Sequence, residues 1–548
     1  MDTDEAHRSE RTPPLPPSVH SATVTPPGTA LLPSVSPGHD RSNASPVSLL
    51  GTYCMRNRPS DHAIAVDGRA SMDFVSRGLM NTSSAEVAFN AFFAGCDRFV
   101  PIFDPSYDTF DSIRQRSSLL FDALCTAGIT VADNETQLPQ MLNFELKKHV
   151  NQVIVQSQPK VLETVQALLV IACYSPERSL LLSLATRFAI DIKLNLAFDE
   201  LMSSALEEDD SAVDLPYLTR CSRTWFEIMV LDNMLQVDAG NLPALRPEGH
   251  MRRCRAFLQQ KHTTPLDLRL LSQVELNSLR TEIHAGFAKE DSGADSDILK
   301  ATNHATIDIN LWYSEWKAMM ESSPVANLEL PLLLINLRVQ KHWCKAMAYF
   351  RALKCLGTEN VDALSAIGLK ILSMAKVELR AHLSATLEEP NLYLPNLRFA
   401  MDFVWAKCAF CFLLVLKLTR LLPESQTESY RLLEEGNQLY RQMLNARTCA
   451  GTTTSRIYVQ VLGMSIEKYS RALQQHYDPQ VTTNSSPPAF FWETSDANLE
   501  LQSFVPEQFV FEWNFPGLTL FSSPASWQNF FDDYLLGANH STDQALQS

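Results

Sequence analysis

Residues 161–243 read VLETVQALLVIACYSPERSLLLSLATRFAIDIKLNLAFDELMSSALEEDDSAVDLPYLTRCSRTWFEIMVLDNMLQVDAGNLP. Apolar residues recur three and four apart through the first half, which is the period of a helix. Ser175 before Pro176 predicts a break and a fresh start, because proline lacks only an N–H that a first turn leaves free. Leu181, Leu184, Phe188, Ile192 and Leu196 carry the second helix. Glu207 to Asp210 reads as a solvated acidic loop. From Arg223 to Asp238 the helical pattern returns, with Trp225, Ile228, Met229, Leu231 and Leu235 apolar, and Gly240 and Pro243 form a stop signal. Nothing in the stretch pairs a nucleophile with a base.

The rest of the chain agrees with this helical reading. The sequence has 548 residues and is 45% hydrophobic, so a large core can be buried. Its 18 glycines are outnumbered by 30 prolines. Sheet-rich and phosphate-cradling folds use glycine in turns, so the balance favours helices joined by proline-marked loops. A net charge of −16 opposes nonspecific binding to nucleic acid or anionic membranes through the bulk surface. The N-terminus MDTDEAHRSERTPPLPP lacks the basic start and apolar run of a signal peptide. The longest lipid-like run, Cys408 to Leu416, is too short to span a bilayer. A soluble intracellular protein is expected. The 11 cysteines are scattered among apolar helical patterns and read as reduced core thiols.

Three regions follow. Residues 1–80 are rich in Pro, Ser and Thr, carry no sustained apolar period and read as disordered. Residues 81–475 read as one large, irregular multi-helix domain. It opens at Ser83, three residues before Glu86, as a capping box would, with Phe89, Phe92 and Phe93 inward. A second helix begins near Ser117. His250 to His262 is a basic strip, expected to pair with the acidic loop. Helical patterns continue from Leu266 to Leu473, without a fixed-period repeat. Residues 476–548 contain no Lys or Arg and place acids among aromatics. Phe509, Phe511, Trp513, Phe515, Trp527, Phe530 and Phe531 are candidate contacts for a coactivator groove, as in an acidic activation segment. The alternating set Phe509 to Phe515 reads equally well as a strap docked on the helical body.

Catalytic signatures are sparse. Neither GxGxxG nor GxxxxGK[ST] occurs, and no HExxH. GMSIE, Gly463 to Glu467, lacks the second glycine of a nucleophile elbow. Cys408 and Cys411 form a CxxC inside an apolar helix without a second pair at zinc spacing, and read as core cysteines. Asp209-Asp210 and Asp532-Asp533 lack a companion metal motif and read as solvated charge. No catalytic, cofactor, metal or DNA-binding residue is assigned.

The order of motifs resembles the regulatory domain, or middle homology region, of fungal zinc-cluster transcription factors. The likeness is carried by AFNAFFAGCDRFVPIFDP, by ETVQALLVIACY, and by the helix with Ala185, Ala189, Ile190 and Asp191. Arg223-x-Trp225-Phe226, Asp232, Gly240-x-x-Pro243, NLWYSEWK and AMDFVWAKCAFCFLLVLKLTRLLP complete it. It spans Ser83 to Leu473. Asn241-Leu242 stand where the family often has an arginine after the glycine. Trp225 is expected to fill the core, and Arg223 and Asp232 to satisfy each other or nearby helix ends. Family members carry an N-terminal six-cysteine zinc cluster. This chain has only Cys54 before Cys96, too few cysteines for that cluster.

The resemblance implies a nuclear transcriptional regulator, shuttling with the cytoplasm or not, that controls metabolic or secondary-metabolite genes. It would use no zinc or other cofactor in this chain. Its partners would be coactivators or another transcription factor, as a homo- or heterodimer, with DNA reached indirectly or through a missing N-terminal module. The alternative is a helical scaffold that binds proteins or a metabolite without a transcriptional role. A third reading, a helical enzyme, would need a pocket with converging carboxylates or histidines.

Overall fold

The computed structural model describes residues 72–477, except 133–136, 156–160, 176, 205–213, 238–242, 246–250, 290–294, 357–364, 390, 423 and 447–452. Among these residues there are fifteen α-helices, several short 3-10 segments and no strand. The all-α expectation therefore holds. The apolar faces of the helices merge into one core.

The first helix, α1 (Thr82–Phe93), starts one residue before the expected cap. Asn81 is in extended conformation and its side chain accepts from Ser84 N at 2.7 Å. Asparagine satisfies the free N–H of the first turn, and Ser83 already lies inside the helix. Residues 73–80, assigned by composition to the N-terminal region, also pack: Phe74 is fully buried. Its N–H donates to Asp122 on α3 (Ser118–Ala132) at 2.8 Å. The same buried carboxylate receives His149 of α4 (Leu138–Val155) at 2.9 Å and Arg77 at 3.1 Å. A short α2 (Phe110–Arg116) precedes α3, and Ser117 Oγ accepts from Leu120 N at 3.2 Å, close to the start expected there.

The quoted stretch folds into α5 (Leu162–Tyr174), α6 (Arg178–Asp191), α7 (Ala197–Ser204) and α8 (Leu215–Val237). The break falls at Ser175, whose Oγ accepts from Glu177 N at 3.2 Å. Helix α8 begins eight residues before Arg223, because Asp214 accepts from Tyr217 N at 3.0 Å and caps it.

Beyond it run α9 (Pro265–Lys289), α10 (Asp295–Ser322), α11 (Leu330–Cys355), α12 (Ala366–Glu388), α13 (Asp402–Leu421), α14 (Gln426–Ala446) and α15 (Thr453–Tyr477). The largest side chains wholly inside are Trp312, Trp316 and Trp343. Trp312 Nε1 donates to Ser272 O at 3.1 Å and Trp316 Nε1 to Glu275 Oε2 at 3.1 Å, so both buried indoles are satisfied. The basic strip forms a 3-10 segment, Met251–Gln259. Arg255 pairs with Glu275 and Glu315, both at 2.6 Å, and Arg253 with Asp199 at 2.5 Å. Its partners are thus on α9, α10 and α7. The acidic run 207–210 lies outside the described residues.

Candidate functional site

Helix α8 carries charged groups on its buried side at helical spacing: Arg223, Glu227 and, one turn further, the apolar Val230 and Met234. Arg223 is fully buried. Its Nε and one terminal nitrogen donate to the two oxygens of Asp267 at 2.7 and 2.8 Å, a bidentate pair, and it also donates to His262 O. Asp267 is the third residue of α9. Its Oδ2 accepts from Thr264 N at 2.6 Å, one half of a capping box at a helix that starts with Pro265. One carboxylate thus caps α9 and fastens it to α8.

Of the two expected arrangements, a mutual pair or contacts with nearby helix ends, the Arg223–Asp232 pair is not formed. Nine residues apart on one helix, they are separated by about 14 Å along the axis. Asp232 instead accepts from Leu245 N at 2.9 Å, just past the buried Pro243. Trp225 is half-buried at the edge of the core, leaving the deep positions to the tryptophans of α10 and α11. Gly240 and the seven tail aromatics, Phe509, Phe511, Trp513, Phe515, Trp527, Phe530 and Phe531, lie outside the described residues. Asp267 had a legible signal, Thr264-Pro265-x-Asp267, which is a helix start with an acid in its first turn.

Between α8, α9, α11 and α13 lies a cavity with a mixed polar and apolar lining. Arg269 of α9 and Glu227 of α8 face it together with Tyr393, Asn336 and Phe403. Arg269 is 8% exposed and Glu227 1%. The Arg269 guanidinium lies 4.7 Å from the Phe99 ring, and its Nε has no hydrogen-bond partner. Glu227 Oε2 is also unpartnered. Burial pushes the Glu227 carboxyl well above the usual range, with Arg269 pulling the other way. Burial lowers Arg269 from its usual value, opposed by Tyr393 and Glu227. An arginine nevertheless stays charged at neutral pH. Lys407 lies at the rim with its ammonium 4.5 Å from the Phe403 ring. Room for the centre of a water molecule amounts to about 20 Å³, enough for a water and too little for a metabolite in this conformation. The grouping places one forked cation and one carboxyl against the same space.

Next to this cavity, the 3-10 segment Cys96–Phe99 holds Asp97, whose Oδ1 is buried without a partner. Burial raises its carboxyl from 3.8 to about 7, Arg98 opposing and Glu329 reinforcing the shift. Arg98 itself is committed to Glu329 at 2.6 and 2.8 Å. A raised folded value means that the folded state favours neutral Asp97. Its stability contribution is complete below pH 4 and is lost as pH climbs towards 7. Asp97→Asn is therefore expected to match the parent near pH 4 and to exceed it by about 1–3 kcal/mol at pH 8, less than the full shift implies because the site relaxes. Urea unfolding at the two pH values checks this. Equal gains at both would show that ionisation of Asp97 is not the cause.

The described cysteines lie inside the core. All nine described cysteines are buried, Cys408 and Cys411 among them. Cys411 Sγ donates to Leu379 O at 3.4 Å, and burial pushes the Cys408 thiol up to about 12. No cluster of three or more His, Cys, Asp or Glu suited to a metal occurs among the described residues. None of their helices is long and apolar enough to cross a membrane.

The chain is similar to a fungal transcriptional activator. This is the transcriptional activator of proteases prtT of Emericella nidulans, 25% identical over 333 residues, which cover 58% of this chain and 48% of that protein. The chain thus spans about half the length of the curated relative it matches. No protein-family model and no solved structure matches it.

Proposed function

We propose that the chain is a nuclear regulator of transcription in which the helical body controls the acidic-aromatic tail. The observation that carries this reading is the similarity to prtT over 333 residues. The tail supports it: residues 472–548 carry no Lys or Arg and hold aromatics among acids, a composition that suits capture by a coactivator groove. In this reading the body and tail need no cofactor. DNA is reached through a partner factor or a DNA-reading module beyond these residues. The targets are protease genes, by extension from the relative's name.

Fusing residues 484–548 to a heterologous DNA-binding domain tests the tail. We expect at least a tenfold rise in reporter output, on the order of a 1.4 kcal/mol change in recruitment. Replacing Phe509, Phe511, Trp513 and Phe515 by alanine should return it to background. An inert parent fusion would remove the activation role. Exclusion of the tagged full chain from the nucleus would favour the scaffold reading instead.

A further inference from the structure

The cavity between α8, α9, α11 and α13 contains two groups that the protein leaves unanswered. Arg269 is a buried cation with no carboxylate of the described residues in ion-pair reach and with an orphaned Nε. Glu227 faces the same space, is 1% exposed, and has an orphaned carboxyl oxygen. Buried charges are ordinarily paired with each other, as Arg223 and Asp267 are one turn away on the same two helices. Here cation and carboxyl share a cavity without closing on each other.

We infer that this cavity is an effector site for an aliphatic α-amino acid, with the ligand carboxylate held by the Arg269 fork and its ammonium by Glu227. A planar guanidinium takes a carboxylate through two parallel hydrogen bonds. With Glu227 ionised in the complex, a simple carboxylic acid would answer Arg269 and leave Glu227 orphaned. An amine would do the reverse. A phosphate would bring two charges against the Glu227 carboxyl. A zwitterion answers both, and Tyr393 and Asn336 are placed to orient it.

The ligand's side chain has a destination. A second, mainly apolar cavity shares Met234, Met401 and Phe403 with the first and is lined further by Leu182, Leu231 and Arg178, which pairs with Asp402 at 3.1 Å. Each cavity alone offers about 20 Å³ to a water centre. The two methionines between them are unbranched and flexible, so turning them merges the spaces at small cost. The bound form is then a minor conformation that the ligand selects. Because the walls come from α6, α8, α9, α11 and α13, occupancy would brace helices from both halves of the body.

The inference concerns binding, and its test leaves the transcriptional reading untouched. Purified full chain is melted with millimolar L-leucine, with 4-methylpentanoate, which lacks the ammonium, and with 3-methylbutylamine, which lacks the carboxylate. L-leucine is expected to raise the midpoint by roughly 2 °C or more, and each half-molecule by much less. Arg269→Lys and Glu227→Gln should lose the shift. If either fails to fold, the apolar pair Arg269→Met with Glu227→Leu keeps the test alive, since replacing buried charges together by packed apolar groups is commonly neutral or stabilising. That variant should fold and ignore leucine. The proposal is overturned if leucine leaves the parent's midpoint unchanged, if 4-methylpentanoate equals it, or if the shift survives in the apolar variant.

Discussion

Asp267→Ala is expected to lose about 3–5 kcal/mol of folding stability, the range found when one member of a buried ion pair is removed. The cost arises from what remains. Arg223 is wholly enclosed, has Phe257 at 5.7 Å from its guanidinium and would keep only the His262 carbonyl as acceptor. Its remaining terminal nitrogen already lacks a partner. The same substitution uncaps α9, since Asp267 also accepts from Thr264 N and Thr264 Oγ1, and a lost cap adds about 1 kcal/mol. Arg223→Met should be milder, because Asp267 keeps its cap contacts. Combining Arg223→Met with Asp267→Ala should cost less than the sum of the two. Urea unfolding of the four proteins measures this. Additive losses would show that the pair is not coupled and that the cap alone matters.

Gly128→Ala should cost about 3 kcal/mol or more through overpacking, against about 1 kcal/mol that alanine gains in helix propensity. A Cβ at this position of α3 would sit 1.8 Å from Ala88 O and 2.7 Å from Ala88 C on α1. These are backbone atoms, so no side chain can rotate aside and the two helices must separate. Gly286 on α9 is the control: a Cβ there meets nothing within 4 Å. Gly286→Ala should stabilise by about 0.5–1 kcal/mol. Thermal melts of both variants decide the matter. A Gly128→Ala protein as stable as the parent would mean that α1 and α3 do not approach as closely as described.

These two sites show how differently the chain could be read. Thr264-Pro265-x-Asp267 announces a helix start from local pattern, yet nothing nearby names Arg223 as the second partner of that aspartate. The closest acid candidate in the motif was Asp232, on the same helix. It faces the chain just after the helix end and binds Leu245 N. Trp225 looked like a core residue because tryptophan is large and apolar. The rotation of α8 puts it at the margin, while Trp312 and Trp316, four residues apart on α10, go inside. Glu227 and Arg269 were legible only as charges within helical runs. Their meeting in one cavity depends on how α8 and α9 pack against α11 and α13.

The sequence alone determined that the described body is helical and marked some of its boundaries, the break at Ser175 and the start near Ser117 among them. Apolar periodicity, caps and prolines act within a few residues, so their effect can be read from neighbours in the chain. Tertiary structure decided which buried charges pair, which glycine lets two backbones touch and which residues face the central cavity. Those outcomes join residues some 40 or more apart, as with Arg223 and Asp267 and with Gly128 and Ala88. They follow from the rotation and spacing of whole helices in a close-packed core, where a shift of one ångström exchanges one partner for another.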